Sequence, residues 1–578
     1  MCGIAGIIQT NKAPVSDGII EAMTSALSHR GPDGCHTKTW GHIGFGHSRL
    51  SIIDLETGGQ PICNEDGTVW ITYNGEVYNY LELRRQLESK GHQFHTKSDT
   101  EVIVHSYEEW GDQCVERFRG MFAFAVADFK QQRVFLARDH LGIKPLFFIH
   151  TPSCFAFASE IQALRCISGL DLEIDIQGLD QYLWLQYIPA PRTVFKQVHK
   201  LAPAHRFSVS FDGTQFGPEE YWQIHFSPVS HRDEGEWLEM LEEVVCESVK
   251  AHLVSDVPFG AFLSGGVDSS AVVAYMSRIM TEPVKTFSIG FEEDDFSEVH
   301  HAEVVAKKWG TEHHVEIVKP DAMEVLPKLV KHYGEPFGDS SALPTYYVCQ
   351  MARKHVPMVL SGDGGDETFA GYDSYRTWME NLSRDNVPLW RNIASSIANA
   401  VTFKKYASSR RLVKWLKCIN YIPSHLRHEL WRKEYRSVTG LPLTTFEKEF
   451  ERTRRYGQVN AVQYMDLKTY LPFDILTKVD VASMLHGLEV RTPFVDVRVV
   501  EFAATIPESL NMKRDGSGKW HGKMLLKKAM ERYYSLDFVH RPKMGFGVPI
   551  QKWFAPSGPL RTAIEERLLG QSSRLSDF

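Results

Sequence analysis

Short apolar segments fill the first third of the chain. They are rich in β-branched and aromatic residues, with Gly, Asp or Asn between them, which is typical of strands joined by turns. The predicted strands are Ile4–Ile8, Gly44–Phe45, Val69–Tyr73, Met121–Asp128, Val134–Ala137 and Cys154–Ser159. Two stretches, Tyr80–Lys90 and Thr100–Trp110, carry apolar residues at three- and four-residue steps and predict helices. Many short strands with few helices favour a sheet-on-sheet core flanked by helices.

The pattern changes after Trp222. Residues Ser227–Gly235 contain Pro, Ser, Asp and Gly, as linkers often do. From Glu236 onward the predicted elements alternate between helix and strand: Glu236–Val254, Phe259–Leu263, Ser269–Met280, Val284–Phe291 and Val299–Trp309, then the helix Pro344–Lys354 and the strand Pro357–Leu360. Such alternation predicts a parallel sheet, in which ligands bind beyond the carboxyl ends of the strands.

Length and composition indicate a cytoplasmic enzyme of several domains. At roughly 150 residues per domain, 578 residues predict two to four domains. The net charge of −8 disfavours nucleic acid as a partner. Nine cysteines without a CxxC pair argue against a disulfide framework and a zinc site, and favour a reducing compartment. The N-terminus lacks a signal-peptide pattern, and the apolar runs fall short of the roughly 18 residues that span a bilayer.

Cys2 is the first candidate catalytic residue. Removal of Met1, which precedes a small side chain, would leave a thiol and an α-amine on one residue. An α-amine has a pKa of roughly 8, so it can serve as the base while the thiolate attacks an amide carbon. Position alone is equally consistent with a buried structural cysteine. Its companions in the sequence therefore decide between the two interpretations.

Three short segments supply those companions. Arg49 suits bidentate binding of a substrate carboxylate. Asn74 and Gly75 follow the strand Val69–Tyr73, where a side-chain amide and a backbone N–H can form an oxyanion hole. Ser98 and Asp99 open a helix, and one of them could simply be its cap.

Six sequence motifs cover most of residues 1–160: Met1–Ile4, His29–Asp33, Arg49–Ile52, Asn74–Asn79, Ser98–Glu101 and Arg138–Leu146. With these motifs in this order, the chain resembles the class II, N-terminal nucleophile (Ntn) glutamine amidotransferases. The resemblance implies a four-layer αββα Ntn sandwich over residues 2–215, with Cys2 as the nucleophile and Asn74 and Gly75 as the oxyanion site. The glutamine site that it implies comprises Arg49, Ile53, Asn74, Gly75, Glu76 and Asp99.

A glycine-rich turn, Ser264–Ser270, lies between a predicted strand and a predicted helix. Its glycines let the backbone approach phosphate, and its N–H and hydroxyl donors can bind the anion at the helix N-terminus. Asp268 suits Mg²⁺ better than phosphate. No Gly-Lys-Ser/Thr follows, so a P-loop of the Walker type is not indicated.

A second turn, Ser361–Glu367, follows the strand Pro357–Leu360 and contains several carboxylates. Carboxylates this close together are costly unless they bind a metal ion or other cations. Two such loops at the ends of parallel strands can face each other across a nucleotide. An acidic surface loop is the simpler interpretation of the second turn alone, but the pair favours a binding site.

The two loops together resemble the ATP-pyrophosphatase domain of asparagine synthetases. The likeness continues through Lys478–Asp480, Leu488–Phe494 and Arg541–Phe546. It implies a linker at residues 216–235 and a Rossmann-like parallel α/β domain with helical additions at 236–578. The implied ATP site comprises Leu263, Ser264, Gly265, Gly266, Val267, Asp268, Ser269, Ile289, Ser361 and Gly362. Asp268 and Asp366 match Mg²⁺ ligands, and Lys543 matches a lysine that contacts the adenylate.

The resemblance implies a glutamine-hydrolysing asparagine synthetase that uses ATP and Mg²⁺. Cys2 would release ammonia from glutamine, and aspartate would react with ATP to give β-aspartyl-AMP and pyrophosphate. Ammonia would then displace AMP, and a homodimer is a further expectation. Asp363 departs from the family, which usually has Glu there, at a carboxylate that orients ammonia or the acceptor.

Three alternatives remain open at the level of sequence. The same chemistry could act on another carboxylate, such as a sugar acid or a peptide side chain in envelope biosynthesis. A β-lactam-synthetase-like ligase is disfavoured, because such enzymes typically lack a working glutaminase and Cys2, Arg49, Asn74 and Asp99 are all present here. A non-catalytic regulatory protein would lose nothing on replacement of Cys2.

Overall fold

The computed structural model describes residues 2–170, 172–291, 298–319, 321–384, 410–437, 439, 444–543, 545–548, 550–558 and 560–570. In chain order the strands are β1 (Gly3–Gln9), β2 (Gly34–Trp40), β3 (Ile43–Arg49), β4 (Ile62–Cys63), β5 (Val69–Val77), β6 (Gly120–Asp128), β7 (Arg133–Arg138), β8 (Phe147–His150), β9 (Cys154–Ala158), β10 (Val198–Lys200), β11 (His205–Ser210), β12 (Gln215–Glu220), β13 (Phe259–Phe262), β14 (Lys285–Phe291), β15 (Glu312–Val318), β16 (Met358–Leu360), β17 (Glu489–Arg491), β18 (Lys513–Arg514) and β19 (Trp520–His521).

The α-helices are Asp17–Ser25, Tyr80–Ser89, Asp99–Trp110, Ile161–Leu164, Ile176–Leu185, Glu234–His252, Val267–Ile279, Val299–Trp309, Ala322–Tyr333, Ala342–Arg353, Gly365–Thr368, Asp373–Arg384, Arg410–Cys418, Ser424–Leu430, Thr444–Arg452, Gln458–Lys468, Leu476–Met484, Val497–Ala503, Glu508–Asn511, Met524–Met530, Leu536–His540, Ile550–Trp553 and Arg561–Leu569. Short 3₁₀ or π turns lie at Gly111–Arg117, Thr453–Arg455, Leu471–Ile475 and Pro493–Val495. None of these described helices has both the length and the apolar composition that crossing a bilayer requires.

Two six-stranded antiparallel sheets form the N-terminal part. Their strand orders are β10-β8-β9-β1-β3-β2 and β12-β11-β7-β6-β5-β4. Successive side chains of a strand point to opposite faces, and on β1 Ile4 and Ile8 enter the core between the sheets while Ala5 and Ile7 pack on the helical side. The second sheet also divides its side chains, because Phe122 faces the helices there. The order helix, sheet, sheet, helix confirms the predicted αββα sandwich.

A five-stranded parallel sheet organises the C-terminal part. Its order is β15-β14-β13-β16-β17, so the chain runs outward in one direction from β13 and then in the other. The order reverses between β13 and β16, and a ligand crevice forms at such a switch point. Both glycine-rich loops follow these two strands. The Rossmann-like prediction is confirmed, and numerous helices follow the core strands.

Every predicted strand and helix overlaps an observed element, but several strands were missed. Gln215–Glu220 forms edge strand β12, so the predicted linker at 216–235 begins inside a sheet. The exposed Gly217-Pro218-Glu219 sequence carries no apolar signal for a strand. β15 was missed for a similar reason, since it is an edge strand with several polar side chains.

Buried ion pairs join the two parts of the chain. Arg30 pairs with Glu160 at 2.9 Å and with Asp480 at 2.9 Å, and its side chain is fully buried. Arg491, also fully buried on β17, approaches Glu76 of β5 at 3.2 Å (Nη2 to Oε1). Since these arginines bridge residues hundreds of positions apart, they fix the N-terminal sandwich against the parallel-sheet part.

Replacement of Arg491 by Met is expected to destabilise the fold by about 3 to 5 kcal/mol. The change leaves Glu76 and Glu489 buried without the guanidinium that compensates both carboxylates. Thermal unfolding measures this loss of stability as a lower temperature of the first transition. The matched control Arg514→Met removes an exposed arginine and should leave that transition in place. Equal transitions for both variants would contradict the prediction.

Two candidate active sites

Cys2 lies where the two N-terminal sheets meet. It precedes β1 of the first sheet, and its backbone nitrogen donates a hydrogen bond to Asn74 Oδ1 on β5 of the second, at 2.9 Å. Arg30 Nε donates to the Cys2 carbonyl at 3.1 Å. The side chain is only 9% exposed, and burial raises the pKa of the thiol. A thiol in this setting needs a nearby base, and after loss of Met1 the Cys2 nitrogen would be that group.

Asn74 and Gly75, the predicted oxyanion site, lie on β5, where Asn74 contacts Cys2. Asn74 is fully buried, and its Nδ2 has no hydrogen-bond partner among the described residues. Such an orphaned donor is costly unless a ligand accepts from it. Gly75 packs against β6 so closely that a Cβ would lie 2.0 Å from Met121 O. Only glycine therefore fits at this position.

Replacement of Asn74 by Ala is expected to lower glutamine hydrolysis about 10²-fold in kcat. The change removes the free Nδ2 donor and the acceptor that holds the Cys2 nitrogen, and loss of one oxyanion donor has an effect of this order. Initial rates of glutamate release measure it. Asn11→Ala, on an exposed turn, is the control and should keep the rate. Retention of activity in Asn74→Ala would contradict the assignment of Asn74 to the oxyanion site.

The other predicted glutamine-site residues lie on the same strands or on loops beside them. Asp99 is buried, and its Oδ2 accepts from Tyr73 Oη and Val77 N, each at 2.9 Å. Burial raises its pKa. Ser98, not Asp99, caps the helix, since its Oγ accepts from Thr100 N at 3.1 Å. The capping role considered for Asp99 is thus excluded.

Arg49, Ile53 and Glu76 complete this set. Arg49 ends β3, is half-buried and donates to the carbonyls of Asp54 and Leu55 at 2.5 and 3.3 Å. Ile53 lies in the loop that follows and is partly buried. Glu76 is buried on β5, where burial raises its pKa against the opposing effect of Arg491.

The first glycine-rich loop connects β13 to the helix Val267–Ile279. Ser264 Oγ lies 3.1 Å from Ser269 Oγ and accepts a hydrogen bond from Gly266 N at 3.2 Å. Hydrogen bonds of the serine side chains therefore stabilise the turn. Leu263 is buried at the end of β13 and Ile289 on the neighbouring β14, the positions predicted to border the nucleotide. The loop thus places N–H and hydroxyl groups at the crevice of the parallel sheet.

The second loop touches the first. A Cβ on Gly362 would lie 2.7 Å from Ser269 N, so the two turns pack backbone to backbone. Asp363, in the place where the family usually has Glu, follows directly, and its carboxylate accepts from Ser361 Oγ at 2.5 Å. Sequence reasoning therefore placed both loops together correctly.

Asp268 and Asp366, the predicted metal ligands, lie on either side of Lys523. The Lys523 ammonium pairs with an oxygen of Asp268 and, at 2.8 Å, with Asp366 Oδ1, while Lys543 pairs with Asp366 Oδ2 at 2.9 Å. Burial opposes ionisation of Asp366, but these two ammonium groups hold its pKa well below the usual range. Asp268 Oδ1 is buried without a hydrogen-bond partner among the described residues. Carboxylate oxygens of this kind fit Mg²⁺.

Lys523 is the principal site residue that sequence reasoning missed. It lies 255 residues after Asp268 and belongs to none of the motifs that were singled out. It is nevertheless only 6% exposed, although a lone lysine is ordinarily a surface charge. Only the fold brings it between the two carboxylates.

Comparison with known proteins agrees with this geometry. Residues 240–578 match the family model described as asparagine synthase, and residues 1–222 match the glutamine amidotransferase domain. The chain belongs to the asparagine synthase family. The family resemblance inferred from the motifs is thereby confirmed, and both domain types of the family follow one another in this chain.

Three relatives from Bacillus subtilis (strain 168) are named glutamine-hydrolysing asparagine synthetases. Synthetase 1 is 36% identical over 96% of this chain and 88% of its own length. Synthetase 3 is 34% identical over 94% of this chain and 86% of its own length. Synthetase 2 is 29% identical over 94% and 72%, respectively. These relatives therefore share both parts of the family architecture with the chain.

Proposed function

We propose that the chain is a glutamine-dependent asparagine synthetase, an ATP-dependent carbon–nitrogen ligase. One observation carries the proposal: a buried Cys2 with a free amide donor beside it and a phosphate-type crevice occur in one chain. Arg30 links them, because it donates to the Cys2 carbonyl and also pairs with Asp480 of the parallel-sheet part. A path for ammonia between the sites is useful, since in bulk water at neutral pH ammonia is mostly protonated and non-nucleophilic.

In the glutaminase half, the glutamine α-carboxylate is assigned to Arg49 and its α-amine to Asp99 and Glu76, with Ile53 at the border of the site. The Cys2 thiol passes its proton to the α-amine and attacks the side-chain amide. Asn74 Nδ2 and Gly75 N–H stabilise the negative oxygen of the tetrahedral intermediate. The α-ammonium returns this proton to the amide nitrogen as the C–N bond breaks, so ammonia leaves. Water then hydrolyses the resulting thioester to glutamate.

In the synthetase half, the loops around Ser264–Ser269 and Ser361–Gly362 bind the phosphates of ATP, and Leu263 and Ile289 border the nucleotide. The aspartate β-carboxylate attacks the α-phosphorus, and pyrophosphate leaves. Lys543 and Lys523 place positive charge where the phosphate charge develops. Asp268 and Asp366 would hold Mg²⁺, which when bound neutralises phosphate charge. Asp363 orients the acceptor or the incoming ammonia, which displaces AMP.

The proposal includes the organisation of the chain. A glutaminase domain covers residues 2–215, and strand β12 extends it to Glu220. The linker leads to the synthetase domain at 236–578, and Ser227 and Val229 already donate hydrogen bonds to Ala504 and Thr505 of that domain. We further propose a cytoplasmic location and a homodimer, with aspartate as the acceptor.

Product identification tests the proposal. The enzyme is incubated with glutamine, ATP, Mg²⁺ and aspartate carrying ¹⁸O in its β-carboxylate. Asparagine should form with one ¹⁸O transferred to AMP, because the carboxylate oxygen stays on the α-phosphorus when ammonia displaces AMP. Formation of ADP and phosphate would contradict adenylation. A parallel panel tests sugar acids and peptide carboxylates. If glutamate is released without asparagine and one of these carboxylates is turned over, that carboxylate and not aspartate is the acceptor.

A further inference from the structure

A cluster of histidine and glutamate side chains lies in the glutaminase half, apart from both proposed sites. Glu65 comes from the turn before β5, and His92 from the segment after the helix Tyr80–Ser89. His105 and Glu108 come from the helix Asp99–Trp110. Each offers one ligand atom, and these four atoms lie within 4.8 Å of one another. Three separate chain segments thus direct two imidazoles and two carboxylates to one point.

The spacing within this His–Glu cluster suits tetrahedral coordination. His105 Nδ1 lies 3.0 Å from Glu108 Oε2 and 3.8 Å from Glu65 Oε2, and His92 Nδ1 lies 3.9 Å from Glu108 Oε2. Bonds of about 2.0 to 2.2 Å to a tetrahedral Zn²⁺ separate neighbouring ligand atoms by about 3.4 Å. The three distances given lie within about 0.5 Å of that spacing, and no two of the four ligand atoms are more than 4.8 Å apart.

Outer hydrogen bonds already orient the ligands. Glu108 uses its Oε1 to accept from Asn64 Nδ2 at 2.6 Å, which leaves Oε2 for the cluster. Glu65 likewise uses Oε1 to accept from Gln93 N at 3.0 Å. The second nitrogen of His105, Nε2, lies 3.6 Å from Glu101 Oε1 and has no hydrogen-bond partner among the described residues. In metal sites the second nitrogen of a ligating histidine typically donates to such a carboxylate.

The charge of the surroundings favours a cation. Glu65, Glu101, Glu108 and Glu109 all lie within 4.0 Å of His92 or His105. His105 is fully buried, so these carboxylates surround a group that is shielded from water. A divalent cation at this point would offset their combined negative charge.

We propose that Glu65, His92, His105 and Glu108 form a binding site for a divalent transition metal of the Zn²⁺ type. Imidazole nitrogens favour such a metal over Mg²⁺ or Ca²⁺, which prefer oxygen ligands alone. The ion would tie the turn before β5 and the segment after the helix Tyr80–Ser89 to the helix that begins at Asp99. Its role is therefore structural support of the glutaminase half. The site uses no cysteine, so cysteine spacing could not have revealed it.

The test measures ZnCl₂ binding to the full-length chain. All variants carry Cys2→Ala, so that the active-site thiol does not compete for zinc. The parent should bind Zn²⁺ and gain thermal stability, whereas His92→Gln and Glu65→Gln should each weaken binding at least about tenfold. His150→Gln, an exposed histidine elsewhere, is the matched control and should bind as the parent does. MgCl₂ should give no comparable effect at this site.

One further measurement makes the outcome decisive. Anomalous difference density at the zinc edge should lie between His92 and His105. Equal zinc affinity in parent, His92→Gln and Glu65→Gln, or zinc density only at cysteines, would overturn the proposal. The cluster would then be a network of polar contacts without a metal ion.

Discussion

Replacement of Cys2 by Ala is expected to lower glutamine-dependent asparagine formation by about 10⁴-fold or more, and to leave ammonia-dependent formation within about twofold of wild type. Removal of a catalytic nucleophile has effects of at least this size. Alanine is small, so Met1 should still be removed and the α-amine remains. Only the thiol is lost, and the Asp268–Lys523–Asp366 arrangement is untouched.

The measurement is asparagine formation with glutamine and with ammonium chloride, assayed side by side for each variant. Cys166→Ala serves as the matched control, since this half-buried cysteine donates to carbonyls of neighbouring helices and contacts no proposed ligand. It should keep both activities. Normal glutamine use by Cys2→Ala would contradict the nucleophile assignment. If the wild-type protein forms asparagine with neither glutamine nor ammonium chloride, the result would point to a non-catalytic protein.

Replacement of Lys523 by Met is expected to lower asparagine formation about 10³-fold with either nitrogen donor. The substitution removes a buried ammonium that pairs with two carboxylates, one of them Asp268 beside the first glycine-rich turn. Loss of a cation that stabilises transferring phosphate has effects of this order. Glutamine hydrolysis, which takes place around Cys2, should remain. The result would distinguish a phosphate-site lysine from a purely structural one.

Pyrophosphate release measures this effect, and glutamate release in the same preparation shows that the glutaminase half is intact. Lys528→Met is the matched control, because Lys528 lies on the adjoining helix with its side chain half-exposed.

A measurement of thermal stability complements the assay. Mg²⁺ should raise the thermal transition of Lys523→Met more than that of wild type, since the two carboxylates then lack their ammonium. Full asparagine formation by Lys523→Met would contradict the role of Lys523 at the phosphate site.

Much of the fold could be predicted because its signals are local. The strand β6 was evident from its apolar run, and the helix Asp99–Trp110 from its three- and four-residue periodicity. Edge strands β12 and β15 escaped prediction, since each carries several exposed polar side chains. An edge strand pairs through its backbone on one side only, so its sequence need not be apolar.

The candidate sites divide in the same way. Asn74 and Asp268 belong to compact motifs at strand ends, where a few neighbouring residues suffice to indicate their chemistry. Ser98 and Asp99 could not be told apart as caps until hydrogen bonds assigned the cap to Ser98. Lys523 carried no local signal, because its role depends on a contact with Asp268 made 255 residues away.

The sequence by itself determined the two domain types, the order of their core elements and the local motifs around Cys2 and the glycine-rich loops. These follow from periodicity, turn residues and side-chain chemistry, which act over a few neighbouring residues. Only the tertiary structure decided that Lys523 stands between Asp268 and Asp366, and that Arg30 and Arg491 bind the two parts together. Such contacts join positions far apart in the chain, and their partners become known only when packing excludes water and brings opposite charges within a few ångströms.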